Sequence, residues 1–188
     1  MQIILASSSP RRTQILNEAH INHIIIPSKC EEIINKDDLP YQVVESLSYQ
    51  KAYDVYKDNK SSLVIGADTI VVVDDIILGK PIDKEDAIKM LQMISNRTHK
   101  VITGVTIIYQ DKIKTFHEIT YVYVNKLSNN QIEEYIQNEN VYDKAGAYAI
   151  QGIFRQHISK YDGEYNNVVG LPIERLKKEL KEFTNEIQ

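Results

Sequence analysis

An intrachain disulfide is excluded from the start, because the sequence holds one cysteine, Cys30. A lone thiol reads first as a small, partly buried side chain, and it fits a reducing compartment. No apolar run approaches the roughly 18 residues that a membrane-spanning helix needs. The apolar start Met1-Gln2-Ile3-Ile4-Leu5-Ala6 is short and has no basic leader, so no secretory signal is expected. Positive charge is not in excess either: 22 Lys and Arg against 26 Asp and Glu give a formal charge of −4. No global basic field therefore draws nucleic acid or an anionic membrane. A polyanionic ligand would have to meet a local cluster of basic groups. Internal repeats, low-complexity blocks and Pro/Gly-rich linkers are absent, so one unit over 1–188 is expected, long enough for a sizeable core. These absences predict a soluble, cytoplasmic protein with neither a membrane nor a nucleic-acid partner.

What is present alternates between strand and helix patterns. Gln2 to Ala6 reads as a short buried strand, and Pro10 opens a helix with Ile15 and Leu16 inward. His23 to Pro27 reads as a second short strand. Pro40 suits the first position of a helix that lines up Val44, Leu47, Lys51 and Val55. Leu63 to Val73 is a long β-type run, turned by Asp74-Asp75 into a return arm at Ile76 to Leu78. Asp83 caps a helix with Ala87, Ile88, Leu91 and Ile94 on its inner face. Val101 to Tyr109 and Thr115 to Val124 are β-rich, joined through Gln110-Asp111-Lys112. Ser128 and Gln131 form a capping box, with Leu127 and Ile132 as its staple. Pro172 opens a last helix striped by Ile173, Leu176, Leu180 and Phe183. Helices mixed with hairpins predict an α/β fold with a mixed sheet.

Several residues do not suit a pure scaffold. Asp68 stands inside the apolar run Leu63 to Val73, where a strand is covered on both faces. An ionised carboxylate is costly there unless it meets a cation, a metal or a hydrogen-bond network. A structural ion pair or a bulge is the plain alternative to a catalytic role. Gly66-Ala67 beside it leaves space for a close approach. Lys51 falls on the helix face expected to be buried, so it either snorkels to water or binds an anion. Ser7-Ser8-Ser9-Pro10-Arg11-Arg12 links a strand to a helix start, where free N–H groups, hydroxyls and guanidinia can hold phosphates. Gly79-Lys80-Pro81 puts a lysine in a tight turn. Ser28-Lys29-Cys30-Glu31-Glu32 offers adjacent acids, a charged loop or a hard-cation site. Asp143 to Gly152 combines small residues with Gln151, whose amide both donates and accepts.

In this order, these strings resemble the Maf family of nucleotide pyrophosphatases. Lys51-Ala52, Gly66-Ala67-Asp68-Thr69, Thr103-Gly104-Val105 and Asn167-Val168-Val169-Gly170-Leu171-Pro172 complete the set, which spans nearly the whole chain. The resemblance implies a mixed α/β fold related to inosine triphosphatases, with a cleft between two lobes. It implies hydrolysis at the α-phosphate of a nucleoside triphosphate, a divalent cation (Mg²⁺ or Mn²⁺), and a homodimer. Asp68 matches the family's general base. Arg11, Thr69 and Gln151 match the positions that mark the branch acting on dTTP and UTP rather than 7-methyl-GTP. The family's first association, with inhibition of septum formation, comes with it. Asn96 departs from the family pattern where a glycine is common, as do Val141 and Glu31 where a proline and an aspartate are frequent.

Polyphosphate chemistry then suggests a role for each group. Ser7, Ser9, Arg12, Lys51 and Lys80 are the candidates for the phosphate chain. Glu32 and Asp68 are the candidates for the cation. Asp68 is either the base that activates water or a metal ligand, and the residue type alone fits both. A nucleotide-binding regulator of division without turnover would keep the cations but would not need Asp68. A 7-methyl-GTP or modified-nucleotide pyrophosphatase would keep the chemistry and change the base pocket.

Overall fold

The computed structural model describes residues 1–185. The last three residues of the expected 1–188 unit lie outside the described ones. Strands β1 (Ile3–Leu5), β2 (Ile24–Ile25), β3 (Leu63–Val73), β4 (Ile76–Leu78), β5 (Thr98–Tyr109), β6 (Lys112–Val124) and β7 (Ile158–Asp162) form one sheet. Its order is β2-β1-β3-β5-β6-β7, with β4 paired to β3. β1 runs parallel to both β2 and β3, while the remaining pairings are antiparallel, so the sheet is mixed as expected. The helices are α1 (Pro10–Glu18), α2 (Pro40–Tyr56), α3 (Lys84–Ile94), α4 (Asn129–Asn138), α5 (Tyr165–Val169) and α6 (Ile173–Asn185). No helix of the described residues is long and apolar enough to cross a membrane.

Strand alternation sorts the core into two layers. Ile65, Ala67, Val71 and Val73 of β3 pack with Ile15 and Leu16 of α1, Leu91 of α3, Ile132 of α4 and Leu176 of α6. Val64, Ile70 and Val72, on the other face, pack with Ala52, Val55 and Val44 of α2. Helix α2 therefore packs across that face of the sheet, with Ile26 beside it. It lies close because two residues beneath it are bare. A Cβ built on Gly66 would fall 2.3 Å from the Ser48 carbonyl oxygen, and one on Gly104 would fall 2.3 Å from that of Val44. The space that Gly66 leaves is taken by a helix rather than by a ligand.

Local chemistry explains most element ends. Asp83 Oδ1 accepts from Asp86 N–H at 2.7 Å, capping α3. Ser128 and Gln131 make the expected box at α4, and Leu127 and Ile132 are both buried. Both residues of the Asp74-Asp75 and Gln110-Asp111 turns have positive φ, as two-residue hairpins require. Asn96 has φ 54°, a conformation asparagine tolerates better than most side chains. Two differences stand out. The strand expected over 23–27 is only Ile24–Ile25, exposed on both residues. β7 was not foreseen, because only Ile158 of its five residues is buried and the rest give no apolar pattern.

One buried polar pair fastens the segment after α4 to the sheet. His99 on β5 is 2% exposed, and its Nε2 lies 2.6 Å from the Tyr148 hydroxyl. Burial pushes the His99 imidazole down to about 4, well below its ordinary value. The folded state thus keeps it neutral while the unfolded chain protonates below about 6.5. Its contribution is complete above pH 6.5 and is lost as pH falls toward 4. We expect about 3 kcal/mol of stability to disappear across that window. Melting temperatures against pH check this, since His99→Gln must show a shallower fall than the wild type. Parallel curves would mean that His99 carries its proton in the fold.

Candidate active site

The long central strand has one uncovered stretch. On the edge opposite β5, β1 pairs with Leu63–Ile65 and β4 pairs with Val71–Val73. Among the described residues no strand covers 66–70 between them. At this gap an open cleft of about 770 Å³ begins. Ser7, Ser9, Arg11, Arg12, Glu32, Lys51, Asp68, Thr69, Lys80 and Gln151 all line it, so the ten residues given a candidate role from the sequence face one space. Asp68 and Thr69 are neighbours and leave the strand in opposite directions, yet both reach the cleft because it straddles the strand's open edge.

On the α2 face, Lys51 bridges two acids. Its Nζ lies 2.5 Å from Asp68 Oδ1 and 2.9 Å from Glu32 Oε1. The side chains of Lys51 and Asp68 are 17% and 13% exposed, so the charge of Asp68 is compensated where water is scarce. The close seat of α2 over Gly66 brings the lysine to the aspartate. Glu32 belongs to an exposed loop with no regular structure, which α2 grips at two points. Gln50 accepts from Ile33 N–H at 2.9 Å and donates to Ile33 C=O at 2.8 Å. One turn on, Asp54 accepts from the Ser28 hydroxyl at 3.0 Å and from Lys29 N–H at 2.8 Å. The Lys57 ammonium, then the Lys29 N–H, hold the Asp54 carboxyl down to about 2. Neither Gln50 nor Asp54 was foreseen, although their spacing on either side of Lys51 puts them on adjoining turns.

On the other face, Arg12 is anchored three times. Nε donates to Gly170 C=O at 2.8 Å, Nη1 to Ser7 Oγ at 3.0 Å, and Nη2 to Thr69 Oγ1 at 3.1 Å. Two of its five N–H groups remain for a ligand. Burial draws its pKa below the ordinary value, with the charge of Asp68 opposing, and a guanidinium stays protonated under such shifts. Ser7 also accepts from Ser9 N–H at 3.2 Å, which shapes the loop before α1.

The far wall is the segment 143–151. Arg11 Nη1 reaches across to Asp143 Oδ2 at 2.8 Å, and Lys144 Nζ meets Asp143 Oδ1 at 2.8 Å. Burial raises the Asp143 carboxyl, but the Lys144 and Arg11 hydrogen bonds outweigh it and hold the group low. Asp143 was legible only as part of a string; nothing in the sequence paired it with Arg11. Lys80 stands exposed in the turn after β4, whose Gly79 carbonyl accepts from Gly146 N–H at 2.9 Å. The Lys80 ammonium and the Gln151 amide have no partner among the described residues.

The donor set suits a hard cation only with help from a ligand. Among the described residues no group of three or more His, Cys, Asp or Glu converges. Glu32 and Asp68 do converge, on the single ammonium of Lys51. Two carboxylates completed by phosphate oxygens is the usual way Mg²⁺ is held beside a polyphosphate.

The whole chain is similar to known proteins. A family model described as "Maf-like protein" matches residues 2–183. A dTTP/UTP pyrophosphatase of Bacillus anthracis (strain CDC 684 / NRRL 3495) is 47% identical over 189 residues, covering 99% of this chain and 97% of that protein. One from Lachnoclostridium phytofermentans is 44% identical over 188 residues, covering 97% and 95%. The fold is shared with the Staphylococcus aureus Ham1 protein, at a TM-score of 0.56 and 14% identity over 96% of this chain and 98% of that one.

Proposed function

The chain belongs to the Maf family, and on that premise we propose that it hydrolyses dTTP and UTP of the cytoplasmic pool to the nucleoside monophosphate and pyrophosphate. The observation that carries this reading is the acid–lysine–acid bridge Glu32–Lys51–Asp68, at the open strand edge and beside the thrice-anchored Arg12. Water attacks the α-phosphorus, the bond to the bridging oxygen breaks, and pyrophosphate leaves with the electron pair. Positioning and charge stabilisation do most of this work. Asp68 orients the water and takes its proton. Arg12 and Lys51 hold the triphosphate, with Ser7 and Ser9 beside them and Lys80 at the cleft mouth. Glu32 and Asp68 would hold Mg²⁺ or Mn²⁺, which when bound neutralises charge on the phosphate oxygens. Lys51 would meet the phosphates from its seat between the two carboxylates.

Base choice is assigned to Gln151, with Arg11 and Thr69 shaping the pocket around it. Uracil and thymine present N3–H between two carbonyls. An unpartnered glutamine amide matches that edge, accepting from N3–H and donating to a neighbouring carbonyl. Cytosine has no N3–H, so it leaves the amide mismatched, which is expensive in a desolvated pocket.

Initial rates of pyrophosphate release over a nucleotide panel, with Mg²⁺ and with Mn²⁺, test the reading. UTP and dTTP should lead, with CTP and purine triphosphates much slower. Gln151→Glu should lower both good rates, because the acid loses the amide donor. A panel led by 7-methyl-GTP or CTP would move the chain to another branch, and no pyrophosphate from any nucleotide would leave a non-catalytic regulator. The family reading also carries a homodimer, which sedimentation of the purified chain tests.

A further inference from the structure

Thr103 of β5 has one hydroxyl proton, and its acceptor is fixed. Its Oγ1 donates to the Asn167 carbonyl at 3.0 Å, and a carbonyl only accepts. The hydroxyls of Thr103 and Thr69 lie 2.9 Å apart. With the Thr103 proton committed to Asn167, the bond between the two hydroxyls uses the proton of Thr69, whose other acceptor in reach, the Gly170 carbonyl, lies at the long distance of 3.5 Å. Thr69 is left with lone pairs alone to offer, and Arg12 Nη2 donates to them at 3.1 Å. A hydroxyl free to rotate would turn its proton toward the guanidinium part of the time, and the two positive ends would repel.

We propose that Thr103 is a positioning residue for Arg12: it takes the proton of Thr69 and so presents Thr69 to the guanidinium as an acceptor. The chain of bonds is built to stay in that state. Thr103 and Asn167 are both fully buried. Asn167 is itself pinned, its Nδ2 donating to Val101 C=O and to Thr120 Oγ1, each at 3.1 Å. The same short helix α5 that carries Asn167 ends at Gly170, whose carbonyl accepts from Arg12 Nε. Helix α5 thus seats the arginine twice, once directly and once through two hydroxyls. Thr69 has no proton left for a phosphate oxygen, so its contribution to holding the phosphate chain runs through Arg12.

The inference rests on the proposed contact between Arg12 and the nucleotide. Thr103→Val keeps the shape and removes the hydroxyl. The KM for dTTP should rise about tenfold, with kcat changed less than about twofold, and Thr103→Ser should stay near wild type. A double-variant cycle with Arg12→Ala separates positioning from packing. With the guanidinium gone, Thr103→Val should leave KM where Arg12→Ala put it. Equal increments in both backgrounds, or a serine variant as impaired as the valine, would overturn the proposal. If the valine protein does not fold, Thr103→Ala enters the same cycle with the same expected coupling. Calorimetric titration with a non-hydrolysable α,β-imido analogue of dTTP reads the coupling without turnover. A wild type that binds the analogue with this coupling yet releases no pyrophosphate would refute the proposed reaction and leave the role of Thr103 standing.

Discussion

Asp68→Asn is expected to fold and to lose at least ~10²-fold in pyrophosphate release, the lower end of what general-base groups contribute. The substitution keeps the shape of the side chain and one hydrogen-bond acceptor. It removes the charge and the capacity to take a proton from water. Folding should survive, because Lys51 keeps Glu32 at 2.9 Å as a counter-ion and so is not stranded in the half-buried cleft. Thermal unfolding and steady-state rates on dTTP, measured on one preparation, check the two halves. Near-normal turnover in a folded Asp68→Asn protein would take Asp68 out of the chemistry and return it to a structural ion pair with Lys51.

Gly66→Ala should damage the fold more than any surface change in this chain. The added Cβ would stand 2.3 Å from the Ser48 carbonyl oxygen and 2.7 Å from the Ala52 nitrogen, both backbone atoms of α2. Side-chain rotation cannot relieve a backbone clash, so the helix has to lift. Overpacking of this kind costs about 3 kcal/mol, or roughly 10 °C in Tm for a chain of this size. Lifting α2 also draws Lys51 off Asp68, so the residual folded protein should be slow. Gly79→Ala is the control, since its Cβ would meet nothing within 4 Å and should leave Tm nearly unchanged. Equal melting temperatures for the two variants would mean that α2 does not rest on Gly66.

The two substitutions mark the boundary of what the sequence discloses. Asp68 was legible because a charge inside an apolar run contradicts its surroundings. Lys51 was legible for the same reason on a helix. The gap in the edge of β3 was not, because it depends on where β1 and β4 stop pairing, and pairing register leaves no mark in a run as uniformly apolar as Leu63 to Val73. Gly66 was read as room for an approaching group, and the approach is real, but the occupant is a helix from more than ten residues upstream. The supports of Arg12 were least visible. Ser7, Thr69, Thr103 and Gly170 meet only through contacts between elements distant in sequence, and each alone is an ordinary polar or small residue. β7 and the loop holding Glu32 escaped because neither has a periodic apolar pattern; one is held by ladder bonds to β6, the other by side chains of α2.

The alternation of side chains along β3 has a consequence for how such a chain diversifies. Asp68 answers to α2 through Lys51, whereas Thr69 answers to α1 and α5 through Arg12 and Thr103. Among the described residues no hydrogen bond joins one set to the other. Substitutions in the segment 143–151 therefore disturb neither set, whereas those on α1 or α5 reach the phosphate grip through Arg12. In the proposed reading, base choice can thus vary on the far wall of the cleft without redrawing either bond network, with β3 as the partition between the two.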